Sequence, residues 1–166
     1  MSFLVFSDPL FQKHKPEIPH PETPARIEAL EGILKREPLP GVELKFCGRE
    51  AKPEELLLVH TQRLVEQIAA TAGKPFAVLD TDTYATGDSA WVARTAGGAV
   101  LGSVDSVMKD SSSPRGFALV RPPGHHAEKD RAMGFCLFNN VAIGAAYAIS
   151  SHQLRRVAIY DFDLHH

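Results

Sequence analysis

Two pairs of adjacent histidines, His125-His126 and His165-His166, each stand a few residues behind a short apolar run. The first closes Arg121-Pro-Pro-Gly-His-His126, after Phe117-Ala-Leu-Val120; the second closes Asp161-Phe-Asp-Leu-His-His166, after Val157-Ala-Ile-Tyr160. An imidazole with its ordinary pKa of about 6.5 gains and loses a proton near neutral pH, so paired rings suit general acid–base work. Asp163 and His165 offer one oxygen and one nitrogen to a borderline cation such as Zn²⁺, and Asp161 can orient a neighbouring imidazole or hold a hard cation. Acid and imidazole in two such clusters are what a metal-assisted hydrolase needs. An isolated His-His pair is more often one buried, hydrogen-bonded ring beside an exposed one. Two pairs, each behind an apolar strand, favour catalysis.

Alternate residues of an extended segment share a face, so Asp161, Asp163 and His165 point one way and Phe162 and Leu164 the other. Both clusters sit at the carboxyl ends of strands, where open α/β sheets bind ligands. The prolines and Gly124 give the first doublet a tight, fixed backbone.

The elements that must hold these clusters read as follows. Phe3–Phe6 is a first strand, and the proline-interrupted residues 11–24 a loop. Thr23-Pro24 reads as N-cap and first helical position of a helix over Ala25–Lys35, with Ile27, Leu30, Ile33 and Leu34 inward. Val42–Phe46 alternates like a half-buried strand, and Pro53–Leu58 makes about one helical turn. Thr61–Ala72 is an amphipathic helix with Leu64, Val65, Ile68 and Ala69 inward, while Phe76–Thr86 reads as loop. Asp88–Met108 is a helix whose Ala90, Ala93, Ala96, Gly97 and Gly98 admit another element closely. Ser111–Arg115 is a turn; Phe117–Val120 and Arg156–Tyr160 are buried strands, with a helix over Phe138–Ile149 between them. Strands alternating with helices predict an α/β fold around a mostly parallel sheet.

A chain of 166 residues has room for one domain, and 44% hydrophobic with 23% charged residues fits a folded core. A net charge of −2 without any Lys/Arg block leaves nucleic acid or an anionic membrane no electrostatic footprint. Cys47 and Cys136 make no disulfide framework, and the amino terminus lacks a signal peptide's basic and apolar regions. A cytoplasmic protein is expected.

Three motifs carry a resemblance. Arg121-Pro-Pro-Gly-His-His-Ala127, then Gly134-Phe-Cys-Leu-Phe-Asn-Asn140, then Asp161-Phe-Asp-Leu-His-His166 resemble the zinc-dependent histone deacetylase family, in the manner of its bacterial class II and acetylpolyamine amidohydrolase-like members. His20-Pro-Glu-Thr-Pro-Ala-Arg26 is similar to the family's early loop, and Asp82-Thr-Tyr84 with Ser89, Trp91 and Gly97-Gly98 to its rim loop and helix.

The resemblance implies an arginase/deacetylase-like parallel sheet flanked by helices, of which residues 1–166 are the amino-terminal part of a single domain. It implies an amidohydrolase that removes acetyl or other acyl groups from lysine side chains or polyamines. Asp163 and His165 would be two of three zinc ligands, and His126 the general base that takes a proton from water activated by the metal. His125 would be its electrostatic partner, hydrogen-bonded to Asp161. Asp82 would grip the substrate backbone, Gly134 and Phe135 would wall the tunnel for the acylated arm, and Arg26 would lie near an internal acetate-exit pocket. Asp161, Asp163 and the His165 carbonyl would hold a monovalent cation, K⁺.

Read without the resemblance, Phe135, Cys136 and Phe138 are core, Asp80 and Asp82 cap a turn, and Arg26 is a surface charge on a helix. His14, His20, His60 and His152 are structural or solvent-exposed. The family's third zinc ligand, an aspartate, and its transition-state tyrosine have no counterpart in these 166 residues. The chain by itself is therefore expected to be a poor enzyme, to expose an apolar sheet edge, and to self-associate or bind a complementary carboxy-terminal fragment. A non-catalytic module that binds acylated side chains is the alternative from another class, and a two-metal ureohydrolase a more distant third.

Overall fold

The first apolar run becomes β1, Phe3–Ser7, with Leu4, Val5 and Phe6 all buried. Burial of successive residues means both faces of the strand are covered, as in the middle of a parallel sheet. In the computed structural model, which describes residues 3–109 and 115–165, β1 lies between β2 (Val42–Phe46) and β5 (Arg115–Ala118) and is parallel to both. Phe3 stands opposite Val42 on one side and Arg115 on the other. The serine-rich turn expected at 111–115 lies, but for Arg115, outside the described residues.

Helices follow the apolar periodicity, with shifts at their ends. α1 is Ala25–Arg36, α2 Pro53–Leu56, α3 Gln62–Ala69, α4 Ser89–Lys109 and α5 Asn140–His152. Pro24, not Thr23, occupies the cap position of α1, and no side chain caps it. α5 starts two residues later than expected because the Asn139 carboxamide accepts the Ala142 N–H and sets the N-cap there.

α4 is the centre of the packing. Val92, Ala96 and Ala99, at helical spacing, face β1 with Phe11, Ile27 and Leu119. Ala90, Ala93 and Leu101 face Leu56, Leu64, Ile68, Leu137, Phe138 and Ile143. Each fully buried Leu, Ile or Phe contributes about 1.5–3 kcal/mol of apolar burial. The small residues admit backbone as expected: a Cβ on Gly98 would stand 2.3 Å from the Arg49 carbonyl oxygen.

Four expectations are corrected. Phe76–Thr86 contains an antiparallel hairpin, β3 (Ala77–Asp80) and β4 (Thr83–Ala85); of the acids that read as loop, Asp80 ends β3 and Asp82 lies in the turn. Val157–Tyr160 is not a buried strand: it makes no ladder and Tyr160 is 87% exposed, because no strand among the described residues lies beside it. β5 starts at Arg115 and leaves Phe117 exposed on an edge strand, and of Phe117–Val120 only Leu119 is buried. The inward faces of α1, α3 and β2 are partly uncovered, with Leu30, Ile33, Ala69, Leu44 and Phe46 exposed. No helix among the described residues is long and apolar enough to cross a membrane.

One buried ion pair ties the proline-rich loop to the sheet. Arg121 and Glu22, both buried, meet with Nε–Oε1 and Nη2–Oε2 distances of 2.6 Å each. The same guanidinium donates to the Phe11 and His14 carbonyls at 2.5 and 2.6 Å. His14 stacks on Tyr84, with ring centroids 4.6 Å apart, and its Nδ1 lies 2.7 Å from Ser89 Oγ. Burial first, then the Arg121 guanidinium, push the His14 pKa down to about 3.

We expect Glu22→Gln to destabilise the chain by about 3–5 kcal/mol, read by urea unfolding, since it leaves the guanidinium charge buried without its counter-charge. His14 generates a second expectation. The unfolded histidine binds a proton more readily than the native one, so its contribution is complete above about pH 6.5. It drains as pH falls toward about 3, by up to about 1.4 kcal/mol per pH unit. His14→Gln should flatten that acid slope in urea midpoints taken between roughly pH 7 and roughly pH 4.

Candidate active site

Beyond β5 the chain continues through Leu119, whose N–H donates to the Phe6 carbonyl at 2.8 Å, into Arg121 and the His-His loop. Asparagines at the start of α5 clamp this loop. Asn140 Nδ2 donates to the Pro122 carbonyl at 3.3 Å and Asn139 Nδ2 to the Ala127 carbonyl at 3.0 Å. A Cβ on Gly124 would come within 2.5 Å of the Asn140 nitrogen, so glycine permits the approach. His60 closes the clamp: the Asn139 N–H donates to its Nε2 at 2.9 Å, leaving Nδ1 to donate to the Glu128 carbonyl at 3.0 Å. Burial lowers the His60 pKa, in keeping with that neutral ring.

The two acid–imidazole clusters meet. His125 Nδ1 lies 2.9 Å from Asp161 Oδ2, while Asp161 Oδ1 accepts the Asp163 N–H at 3.0 Å. Asp163 Oδ1 accepts the His165 N–H at 2.8 Å and lies 3.0 Å from His165 Nδ1. His125 and His126 face one another with ring centroids 4.0 Å apart. Phe162 and Leu164, on the opposite face of this segment, are each 88% exposed.

The hairpin β3–β4 forms the rim. Asp82 Oδ1 accepts the Gly134 N–H at 3.1 Å, and Thr83 Oγ1 accepts the Phe135 N–H at 2.9 Å. These bonds hold two successive residues at positive φ, +56° for Gly134 and +67° for Phe135. For Phe135 that is a strained backbone, of the kind that persists where its surroundings over-determine it. Gly134 has a second reason to be glycine: a Cβ there would lie 2.5 Å from His126 Cγ.

A cavity of about 370 Å³ is lined by Arg26, Asp82, His125, His126, Gly134, Phe135, Asp163 and His165 together with Pro21 and Pro123. Asp161 stands just outside it, in an adjoining cleft of about 460 Å³ with Val141, Ile159 and Phe162. Desolvation, then the neighbouring His125, lower the His126 pKa, which keeps that ring neutral and able to take a proton. The Asp163 N–H, then His125, lower the Asp161 pKa; the N–H and ring of His165 do the same for Asp163.

The metal implied by the motifs can be tested against these donors. Asp163 Oδ1 and His165 Nδ1 are 3.0 Å apart. Adjacent ligands on a tetrahedral Zn²⁺ with bonds of about 2.0–2.2 Å stand about 3.3 Å apart. The donor types fit, and the 3.0 Å separation is that of the hydrogen bond the two groups make with each other. Among the described residues no group of three His, Cys, Asp or Glu gathers as a metal cage.

Comparison with known proteins gives the family and the fold. The family model described as "Histone deacetylase domain" matches residues 20–166. The chain belongs to the histone deacetylase family. It is 42% identical over 163 residues to Caenorhabditis elegans histone deacetylase 6, covering 89% of this chain and 16% of that protein. To the polyamine deacetylase HDAC10 of Danio rerio it is 43% identical over 124 residues, covering 71% of this chain and 18% of that one. The crystal structure of the HDA15 HD domain superposes with a TM-score of 0.83 at 36% identity, over 91% of this chain and 44% of that one. The chain thus spans less than half of each of these proteins, and its parallel sheet with flanking helices is the deacetylase-like α/β architecture.

Several residues that hold this deacetylase-family site are not legible as such from spacing. Arg121 and Glu22 read as a motif arginine and a loop acid, yet they are the buried pair that anchors the loop. Asn139, Asn140 and His60 position the His-His loop without lining the 370 Å³ cavity. Arg26 is an exposed helical residue, as its sequence context reads, and it also lines both the 370 Å³ cavity and a smaller one of about 150 Å³ with Glu22, Ile27 and Leu119. Cys136 is a buried small hydrophobe with its thiol pushed up to about 12, first by desolvation.

Gly134→Ala should cost at least about 1–2 kcal/mol in urea unfolding, since an L-residue must adopt the left-handed region. It should also move the His126 ring signals in ¹H–¹³C spectra, because the added methyl occupies the space of that ring.

Proposed function

We propose that this chain carries part of the active site of a zinc-dependent amidohydrolase, one that removes acetyl or other acyl groups from lysine side chains or polyamines. The observation that supports it above all is the meeting of His125-His126 with Asp163 and His165 at one cavity that Gly134 and Phe135 also line, with Asp161 bonded to His125 just outside it. On this proposal Asp163 and His165 would hold the metal, whose chemistry when bound is to polarise the amide carbonyl and make water a better nucleophile. Asp161, Asp163 and the His165 carbonyl would hold K⁺.

The chain's own residues do the rest. His126, neutral at physiological pH, takes the proton of the attacking water and returns it to the departing amine nitrogen as the C–N bond breaks, leaving acetate and a free amine. His125, donating from Nδ1 to Asp161, keeps that ring's orientation and supplies positive character beside His126. Gly134 and Phe135 strip water from the straight aliphatic arm and hold its end near His126. Asp82 holds the substrate main chain at the rim, and Arg26 stands by the route for the released acetate.

With two donors and without the transition-state tyrosine, residues 1–166 alone are proposed to turn over poorly, as part of a single deacetylase domain. The uncovered Phe117, Ile159 and Tyr160 are where self-association or a complementary carboxy-terminal segment would pack. The two free thiols suit the cytoplasm.

Zinc content and acetate release from an acetyl-lysine peptide and an acetylated polyamine, measured on the chain and on a carboxy-terminally extended version, test the proposal. The extended protein should bind about one Zn²⁺ and lose activity about 100-fold or more with His126→Ala. An inert extended protein, or one indifferent to that substitution, refutes the assignment.

A further inference from the structure

Against Phe135 of the cavity wall, but absent from the cavity's lining, stands the half-buried His20. Its Nδ1 lies 3.1 Å from the Glu22 nitrogen and its Nε2 3.2 Å from the Asp82 carbonyl oxygen. A backbone N–H can only donate and a carbonyl can only accept, so both contacts are satisfied by one form of the ring: neutral, with the proton on Nε2. The same imidazole meets two aromatic rings edge-on, Tyr84 and Phe135, each with centroids 4.8 Å away and planes at 74°. One side chain therefore joins three pieces far apart in sequence. Glu22 is the partner of Arg121, Asp82 receives the Gly134 N–H, and Phe135 is the residue held at φ +67°.

We propose that His20, as the Nε2–H tautomer, is a positioning residue of this site: it ties the Glu22 loop to the Asp82 turn and braces the Phe135 ring, so that rim and wall keep one geometry. The role rests on the deacetylase reading above for its purpose, but its physical content is independent of turnover. Without the imidazole, the Asp82 carbonyl loses a donor and Phe135 loses the ring beside it. The turn and the strained dipeptide Gly134-Phe135 can then relax together. The effect falls on capture of the acylated arm, not on proton transfer, because His20 reaches neither His126 nor the metal donors.

Two measurements test this. In long-range ¹H–¹⁵N spectra of the 166-residue chain at neutral pH, His20 should show the neutral Nε2–H pattern; the Nδ1–H or the doubly protonated pattern overturns the proposal. In the same chain, His20→Ala should speed amide exchange at Gly134 and Phe135 about tenfold or more and leave Val5 and Leu101 within about twofold. His20→Gln, whose carboxamide can still donate to the Asp82 carbonyl, should restore most of the difference. Unchanged exchange at Gly134 and Phe135, or equal acceleration at Val5 and Leu101, overturns it, the latter by showing a role in stability only. Should His20→Ala fail to fold, the tautomer and His20→Gln decide. In the extended protein, His20→Ala should raise KM about tenfold with kcat within about threefold, and a fall in kcat alone counts against it. If the extended wild type is inert, the deacetylase reading fails while the spectra still decide the positioning role.

Discussion

The buried pair Arg121–Glu22 is the contact on which the rest of the site depends. A guanidinium taken out of water is costly unless its donors are matched. Here a bidentate carboxylate and two main-chain carbonyls, of Phe11 and His14, match it. The bidentate geometry fixes direction as well as distance. It therefore sets how the loop that ends at α1 lies against the residue immediately before the Pro-Pro-Gly-His-His turn. A hydrophobic pair could fill the same volume, but it would not specify which carbonyls and which loop must gather there.

From that anchor, constraint passes in two directions. Toward α5, Gly124 lets the turn sit on the Asn140 backbone while Asn139 and His60 hold it from beneath. Toward the rim, Glu22 reaches His20, His20 reaches Asp82, and Asp82 reaches Gly134. Two residues at positive φ, of which Phe135 is strained, are the product of this second path, and the Gly134 and Phe135 N–H groups that donate to Asp82 and Thr83 offset that strain. What results is a cavity whose wall comes from one loop, whose rim comes from a hairpin, and whose imidazoles come from the loop after β5 and from the carboxy-terminal segment.

The carboxy-terminal segment joins this construction at its tip but not along its length. Asp161 bonds to His125, and Asp163 and His165 reach the cavity, while Ile159, Tyr160, Phe162 and Leu164 stay exposed. Sequence alone gave Val157–Tyr160 the pattern of a buried strand, and the pattern is real. Burial of a strand, however, requires a hydrogen-bonded neighbour on the sheet, and none of the described strands lies there. The same reasoning explains Phe117 on β5 and Phe46 on β2, apolar residues on edge strands.

The residues of this chain determined, without coordinates, its α/β alternation, the small-residue stripe of α4 that admits a close neighbour, and the chemistry available to the two histidine doublets. Those features are local: they follow from side-chain period, from proline and glycine, and from ligand type, all of which can be read a few residues at a time. Tertiary structure alone decided that the doublets meet, that Asp82 and Thr83 hold the Gly134-Phe135 turn, that acids near residue 80 make a hairpin, and that Glu22, His20, Asn139 and His60 support the site. Apart from the hairpin, whose two strands are neighbours in sequence, these contacts join residues from 12 to 99 positions apart. Pairing across such distances leaves no periodic trace in a single sequence, because it depends on how the elements pack and not on what any one of them prefers to be.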